Sequence, residues 1–356
     1  RPKHPMNRQN EDQQRIVNHA PAVAEKDLAP RAAAVDRDAA FPRESIAALG
    51  ARGLLGLNVA KEHGGQGQGF RTIAAVLDVV AQRCPSTAMV YLMHMCGVAC
   101  YAAAPDKTAS MLKAAAAGRH LSTLAFSETG SRSHFWAPVS REVSTGNGAV
   151  QVSAQKSFAT SAGQADGYVV STLAAGATQP IESSIYVVLK EDAGISASGP
   201  WRRLGLRGNA SGAMALTKVS IGPERALTAP GKGLDMMLGI VLPLFHVGSA
   251  AVGVGIAEAA VQATINHVTH ARFEEAGSSL RDLPTLRAQI ARMRIETDRA
   301  RAHLAAVVDS LESPGPATQL LVLEAKASGT EAAVMVTELA MRTCGGGALG
   351  GAHGIE

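Results

Sequence analysis

The spacing of hydrophobic and polar positions changes twice along the chain. Up to about residue 118 the spacing is helical. Residues 11–35 are Ala-rich and charged, as for a solvent-facing helix, and the segment opened by Pro42 places Ile46, Leu49 and Leu54 on one face. The Gly-rich loop HGGQGQG follows, then helical runs at 71–83 and 86–103, the second with Pro85-Ser86 as its N-cap signal, and another at 106–117 closed by Gly118. Between 121 and 227 the period shortens to two. GAVQVSAQKSFAT and ALTKVSI alternate, and YVVSTLAA and SSIYVVLK are β-rich apolar runs. Helical spacing returns at 234–272, at 286–311 (Leu286, Ile290, Met293, Leu304, Val307 and Leu311 on one face) and, after Pro314-Gly315-Pro316, at 318–344. The expected fold is mainly α with a central β domain. It comprises an N-terminal α-helical domain over 1–119, a small β-barrel-like or sandwich domain over 120–228, and a C-terminal four-helix bundle over 229–356.

Composition narrows the function classes. Charged residues make up 18% of the 356, below the roughly 25% of an average soluble domain, which predicts surface buried between subunits. A net charge of +4 without a basic run, and only 7 Phe, 4 Tyr and 2 Trp, argue against nucleic acid as a partner. Residues 236–257 contain no Asp, Glu, Lys or Arg, enough for a membrane span by length. Pro243, His246, Ser249 and four glycines interrupt that stretch, and no basic cluster or aromatic belt flanks it, so it reads as a buried bundle helix and no membrane partner is expected. Cys84, Cys96, Cys100 and Cys344 form no CxxC pair, and the polar N-terminus shows no signal-peptide core. Both features fit a reducing, cytoplasmic setting.

Several short motifs fail on context. GVGIAE at Gly253 has Glu258 at the third glycine position of a dinucleotide fingerprint and no strand before it. Ser153 and Lys156 match SxxK but lie in an alternating β run rather than at a helix start. Cys96 and Cys100 near His94, and the pair His267 and His270, lack a metal-site pattern, so no metal is expected. The segment 124–161 is more informative. LAFSETGSRSHF is a hydroxyl-rich loop, and KSFATSAGQADGY places Phe158, Thr160 and Ser161 where a strand ends in a polar loop. Hydroxyls, backbone N–H groups and one aromatic suit a flat, polar heteroaromatic cofactor.

Five segments in order resemble the acyl-CoA dehydrogenase superfamily of flavoproteins. FPRESIAALGARGLLGLNVAKEHGGQGQGF resembles its N-terminal signature, LAFSETGSRSHF its flavin loop A-x-TEPGSGSD, and KSFATSAGQADGYVV its K-x-[WYF]-I-T-N segment. WRRLGLRGNAS is similar to LGMRGTxS, and MRTCGGG to QxxGGxG. The resemblance implies FAD as cofactor. It places Ser127 where a hydroxyl bonds the isoalloxazine, Leu124 and Phe126 as adjacent contacts, Phe158 as the flanking aromatic and Thr160 at the flavin N5 edge. Ser133 would sit between flavin and the acyl-CoA pyrophosphate. Arg272 would reach FAD phosphates across a subunit interface, Arg342, Gly345 and Gly346 would lie where backbone approaches the dinucleotide, and Arg207 would order its loop. Thr129, Arg132, His134 and Arg342 depart from the family's usual residues, and Pro284 lies near a habitual Gln.

The implied activity is α,β-desaturation of an acyl-CoA thioester, with an electron-transfer flavoprotein or other redox partner as acceptor and a homo-oligomer, a tetramer, as the assembly. Its catalytic base is not found. The family's Glu lies downstream of the Gly-Gly or at the start of the long helix, where this chain has Phe245-His246. Phe245 and His246 therefore become substrate-side candidates, and the bundle is expected to continue past Glu356. The alternatives are a reduced-flavin-dependent monooxygenase of the same fold, in which His246, His94 or His134 replaces the carboxylate, and a non-catalytic member.

Overall fold

A computed structural model describes residues 9–132, 134–199, 204–273 and 277–350. Six helices come first: α1 (Glu11–Val23), α2 (Ala29–Arg37), α3 (Arg43–Ala51), α4 (Phe70–Ala81), α5 (Pro85–Ala102) and α6 (Pro105–Ala116). Eight strands follow: β1 (Ser122–Ala125), β2 (Ser127–Glu128), β3 (Val143–Gly146), β4 (Ala149–Ala159), β5 (Gly167–Leu173), β6 (Ser183–Leu189), β7 (Ile195–Ala197) and β8 (Gly212–Ile221). Then come α7 (Gly233–Met236), α8 (Leu242–His270), the short strands β9 (Arg272–Phe273) and β10 (Ser278–Ser279), α9 (Pro284–Glu312) and α10 (Thr318–Cys344). The mostly helical fold with a central β region is the one expected. The single Ala-rich helix is not: a π-helical turn, Ala24–Leu28, joins α1 to α2, and the run is not solvent-facing throughout, since Ala20, Val23, Ala24, Leu28 and Val35 are buried.

By contacts the chain forms two compact units that do not follow chain order: Arg1–Ala33, Phe70–Ala88 and His246–Glu356 make the first, Ala34–Gly69 and Met89–Phe245 the second. In the second unit β1, β5 and β6 form one sheet, with β1 parallel to β5 and β6 antiparallel to it. The other sheet runs β2-β4-β8-β7, with β3 also on β4. Inward residues of both share one core, including Val150, Val152, Tyr168, Val170, Tyr186, Val188, Leu216 and Val219. Strand alternation produces this core: Val150, Val152, Ala154 and Lys156 of β4 share a parity and all are buried.

In the first unit Gly253 of the uncharged stretch lies where two helices come close. A Cβ on Gly253 of α8 would stand 2.4 Å from the Gly329 carbonyl oxygen of α10, and one on Gly329 would stand 2.5 Å from Ala250 Cα. Two helix backbones therefore meet there, which larger side chains would prevent. The run Gly233–His270 is long and apolar enough to cross a membrane, but 67% of its most apolar window is buried inside the protein.

Candidate functional site

The site in the second unit starts from an irregularity in β4. Phe158 has the same parity as Val150 to Lys156 and would point inward in a regular strand. The register of β4 on β8 shifts between Lys156 and Ala159, however, so Ala159 is buried and Phe158 is turned out, 54% exposed. A bulge that re-aims one side chain is a recurrent device beside binding sites. Ser127 of β2 lies opposite Phe158 and is half-buried.

The loop after β4 is stapled at several points. Thr160 Oγ1 shares a hydrogen bond of 3.0 Å with Ser211 Oγ, and the Thr160 carbonyl accepts from the Thr123 hydroxyl at 2.8 Å. Ser161 and Ala162 donate their N–H groups to the Asn209 and Ala210 carbonyls, each at 3.0 Å. Ser161, Leu206 and Ala210 all have positive φ (61°, 52° and 50°), and none is glycine. Such backbone costs about 1–3 kcal/mol per residue and persists only where the surroundings impose it. Arg207, on the segment before β8 rather than in a loop after the β unit, forks onto Asp36, its Nε donating at 3.1 Å to Oδ1 and its Nη2 pairing with Oδ2. The phosphate-sized features of a nucleotide are not in this set; an aromatic face beside hydroxyls is. The residues fit a flat heteroaromatic ring with polar edges.

The remaining second-unit candidates divide. Leu124 and Phe126 are each 5% exposed, so they can offer a ligand backbone but little side chain. Leu124, Ser127 and Glu128 lie on short strands rather than in one loop, because β1 and β2 are too short to show alternation. His134 is exposed and packs edge-on to Trp136, with ring centroids 5.1 Å apart. His94 is fully buried: its Nε2–H donates to the Leu55 carbonyl at 2.8 Å and its Nδ1 accepts from Ser122 N–H at 3.1 Å. Burial holds its pKa down at about 4, so it is a neutral structural group with both nitrogens committed. Phe245 is half-buried at the end of this unit. Ser133 lies outside the described residues.

The other candidates belong to the first unit. His246 is half-buried and donates its Nδ1–H to the Val322 carbonyl at 2.9 Å. Burial, only partly offset by that bond, lowers its pKa and favours the neutral ring. Arg272 is exposed on β9, directly after α8. Arg342 is exposed and pairs with Glu338 one turn earlier on α10. Gly345 follows α10 at φ 56°, ψ −140°, a conformation that favours glycine, and an added Cβ on Gly345 or Gly346 would meet nothing within 4 Å. Among the described residues no group of three or more His, Cys, Asp or Glu could hold a metal ion. Cys96 and Cys100 are buried, and burial pushes the Cys100 thiol up to about 12.

Four residues were given no part here by the sequence: Ser211, Asp36, and Glu128 and Lys156, which form a buried pair. Ser211, Glu128 and Lys156 stand inside quoted segments, and alternation puts Lys156 on the buried face of β4, but no spacing says that Glu128 meets it there.

Family models for the acyl-CoA dehydrogenase N-terminal domain and C-terminal domain match residues 10–119 and 231–356. A probable acyl-CoA dehydrogenase, fadE25, of Mycobacterium leprae is 26% identical over 331 residues, covering 91% of this chain and 83% of that protein. Among solved structures, butyryl-CoA dehydrogenase from Megasphaera elsdenii superposes with TM-score 0.86 at 19% identity, over 95% of this chain and 89% of that one. FMN-bound TdsC from Paenibacillus sp. A11-2, a dibenzothiophene monooxygenase, does so with TM-score 0.85 at 20% identity, over 96% and 90%. At these identities the solved structures show a shared fold.

Proposed function

The chain belongs to the acyl-CoA dehydrogenase family of flavin-dependent oxidoreductases, and from that premise we propose that it binds FAD and desaturates an acyl-CoA thioester at Cα–Cβ. One observation carries the cofactor half of this reading: the bulge that turns Phe158 out of the β core, opposite Ser127 and two residues before Thr160. A buried ring would have stabilised the core by about 1.5–3 kcal/mol, so its exposure is a cost that ligand binding offsets. FAD held there supplies the two-electron acceptor. Phe158 would provide an aromatic face for it and the Ser127 and Thr160 hydroxyls would bond its polar edge, with the Thr160–Ser211 bond and the Arg207–Asp36 pair bracing the neighbouring backbone. Arg272, Arg342, Gly345 and Gly346 are proposed for the dinucleotide end, and Ser133 for the acyl-CoA side.

Proton removal beside the thioester is the open half. It needs a base within hydrogen-bond reach and with a suitable pKa. Residues 236–257 offer no carboxylate, and Phe245 and His246 occupy the helix position. His246 is the candidate on the helix itself. Its Nδ1–H donates to the Val322 carbonyl, and burial favours the neutral ring. The same absence supports a second reading, a reduced-flavin-dependent monooxygenase, which needs no carboxylate and whose fold is that of the TdsC structures. Anaerobic addition of acyl-CoA to the flavin-loaded protein separates the two: bleaching supports desaturation, and an unchanged flavin supports oxygenation.

We propose further that electrons pass to an electron-transfer flavoprotein or other redox partner, and that the protein is a cytoplasmic homotetramer with domains 1–119, 120–228 and 229–356. Exposed Ile295 on α9 and Leu320, Leu323 and Val334 on α10 support an assembly.

A further inference from the structure

The loop between β2 and Ser140 is closed at its base by one carboxylate. Glu128 Oε2 accepts the backbone N–H groups of Val139 and Ser140, both at 2.7 Å, and Oε1 accepts the Ser140 hydroxyl at 2.6 Å. At the near end the Glu128 carbonyl accepts from Ser131 N–H at 3.2 Å and from its hydroxyl at 3.0 Å, while Thr129 N–H donates to the Gln155 carbonyl on β4 at 3.0 Å. Lys156 completes the arrangement, its Nζ donating to Glu128 Oε1 at 2.5 Å and to the Ser171 carbonyl at 2.6 Å. Both side chains are sealed from solvent, at 1% exposure for Glu128 and 0% for Lys156. Four donors thus meet on one buried carboxylate, and three of them, from Val139 and Ser140, come from the far end of the loop.

Position in the sheet gives the pair its significance. Glu128 is the neighbour of Ser127 in β2, and Lys156 lies two residues before Phe158 in β4. The two strands pair as Ser127 with Phe158 and Glu128 with Lys156, with an irregularity between. Stability alone does not account for this. Removing two charges from water costs several kcal/mol per ion, and well-packed apolar residues often serve a core as well or better. A shared carboxylate does what apolar packing cannot: it sets the distance between two loop ends and one strand within hydrogen-bond tolerance.

We propose that Glu128 and Lys156 are positioning residues that clasp the loop 129–139 and, through Ser127 and Phe158, hold the cofactor wall in one arrangement. The second half of that statement rests on the flavin reading above. The clasped loop contains Trp136, and the chain has 2 tryptophans in all, so a Trp201→Phe background makes indole emission a report on this loop. Glu128→Gln keeps size and one acceptor while removing the charge. In that background it is expected to raise acrylamide quenching of Trp136 about threefold and the FAD dissociation constant about tenfold.

A Glu128→Gln protein that melts at a lower temperature but keeps the original quenching and FAD affinity overturns the proposal, because the pair is then structural only. If the unsubstituted protein binds no flavin, the flavin reading fails and the quenching comparison alone decides the clasp. Should Glu128→Gln not fold, Ser140→Ala removes a single bond to Oε1 and is read the same way, with a rise in quenching of about twofold expected and no rise overturning the clasp.

Discussion

Replacing His94 by Leu tests whether the histidine at the heart of the second unit is structural. Its ring bridges the Leu55 carbonyl and the Ser122 N–H with no exposure to solvent, so His94→Leu leaves one buried acceptor and one buried donor unmet. At about 1–3 kcal/mol for each such group, partly relieved by the added apolar contact, the variant should be about 3 kcal/mol less stable at pH 7. The pH dependence is the sharper test. Burial holds the His94 pKa at about 4, whereas an unfolded histidine titrates near 6.5. Between those values the unfolded chain binds a proton that the native protein does not, so native stability falls as pH falls. From pH 7 to pH 4.5 the loss is about 2.5 kcal/mol. The variant has no such loss, and its deficit should shrink to about 0.5 kcal/mol at pH 4.5. Urea unfolding of both proteins at pH 7, 5.5 and 4.5 measures the difference, in which titration of all other groups cancels. A deficit that stays constant or widens toward acid would mean that native His94 is readily protonated, and the structural assignment would be wrong.

Two further substitutions probe the packing and the site. Gly329→Ala should destabilise by about 2 kcal/mol in urea unfolding, because the overpacking caused by a Cβ 2.5 Å from Ala250 Cα outweighs a helix-propensity gain of about 1 kcal/mol; a stabilised variant would show that α8 and α10 do not meet there. Phe158→Ala should cost the fold less than about 1 kcal/mol, since the ring is 54% exposed, while weakening FAD about tenfold by equilibrium titration; a variant that loses stability but not FAD affinity would put the ring in the core.

The period of the apolar positions was enough to read the helix–β–helix order and the ends of the last helices. Pro314-Gly315-Pro316 separates α9 from α10, and 318–344 is the observed span of α10. What periodicity could not supply is whatever depends on a departure from regular geometry or on distant partners. Strict alternation would have buried Phe158 beside Lys156, and only a bulge against β8 reverses that. Lys156 looks like a solvated lysine until Glu128 and the Ser171 carbonyl are brought to it. The interleaved contact units are equally hidden, because α2, α5 and α8 each carry the chain from one unit to the other without any break in helical spacing. Residue types in order single out Ser127, Phe158 and Thr160 as candidates for the site. Nothing in the sequence singles out Ser211, which bonds Thr160, or Asp36, which takes both prongs of the Arg207 fork, because the fold alone brings these distant residues together.

The central claim is that the wall formed by Ser127, Phe158 and Thr160 holds a flavin that accepts electrons from an acyl thioester. Anaerobic titration of the FAD-loaded protein with short-, medium- and long-chain acyl-CoA, followed by visible absorbance and by assay of the enoyl thioester, tests it most directly. Loss of the oxidised flavin spectrum in step with enoyl-CoA formation is the predicted result. A flavin that dithionite reduces but none of these thioesters bleaches would contradict it.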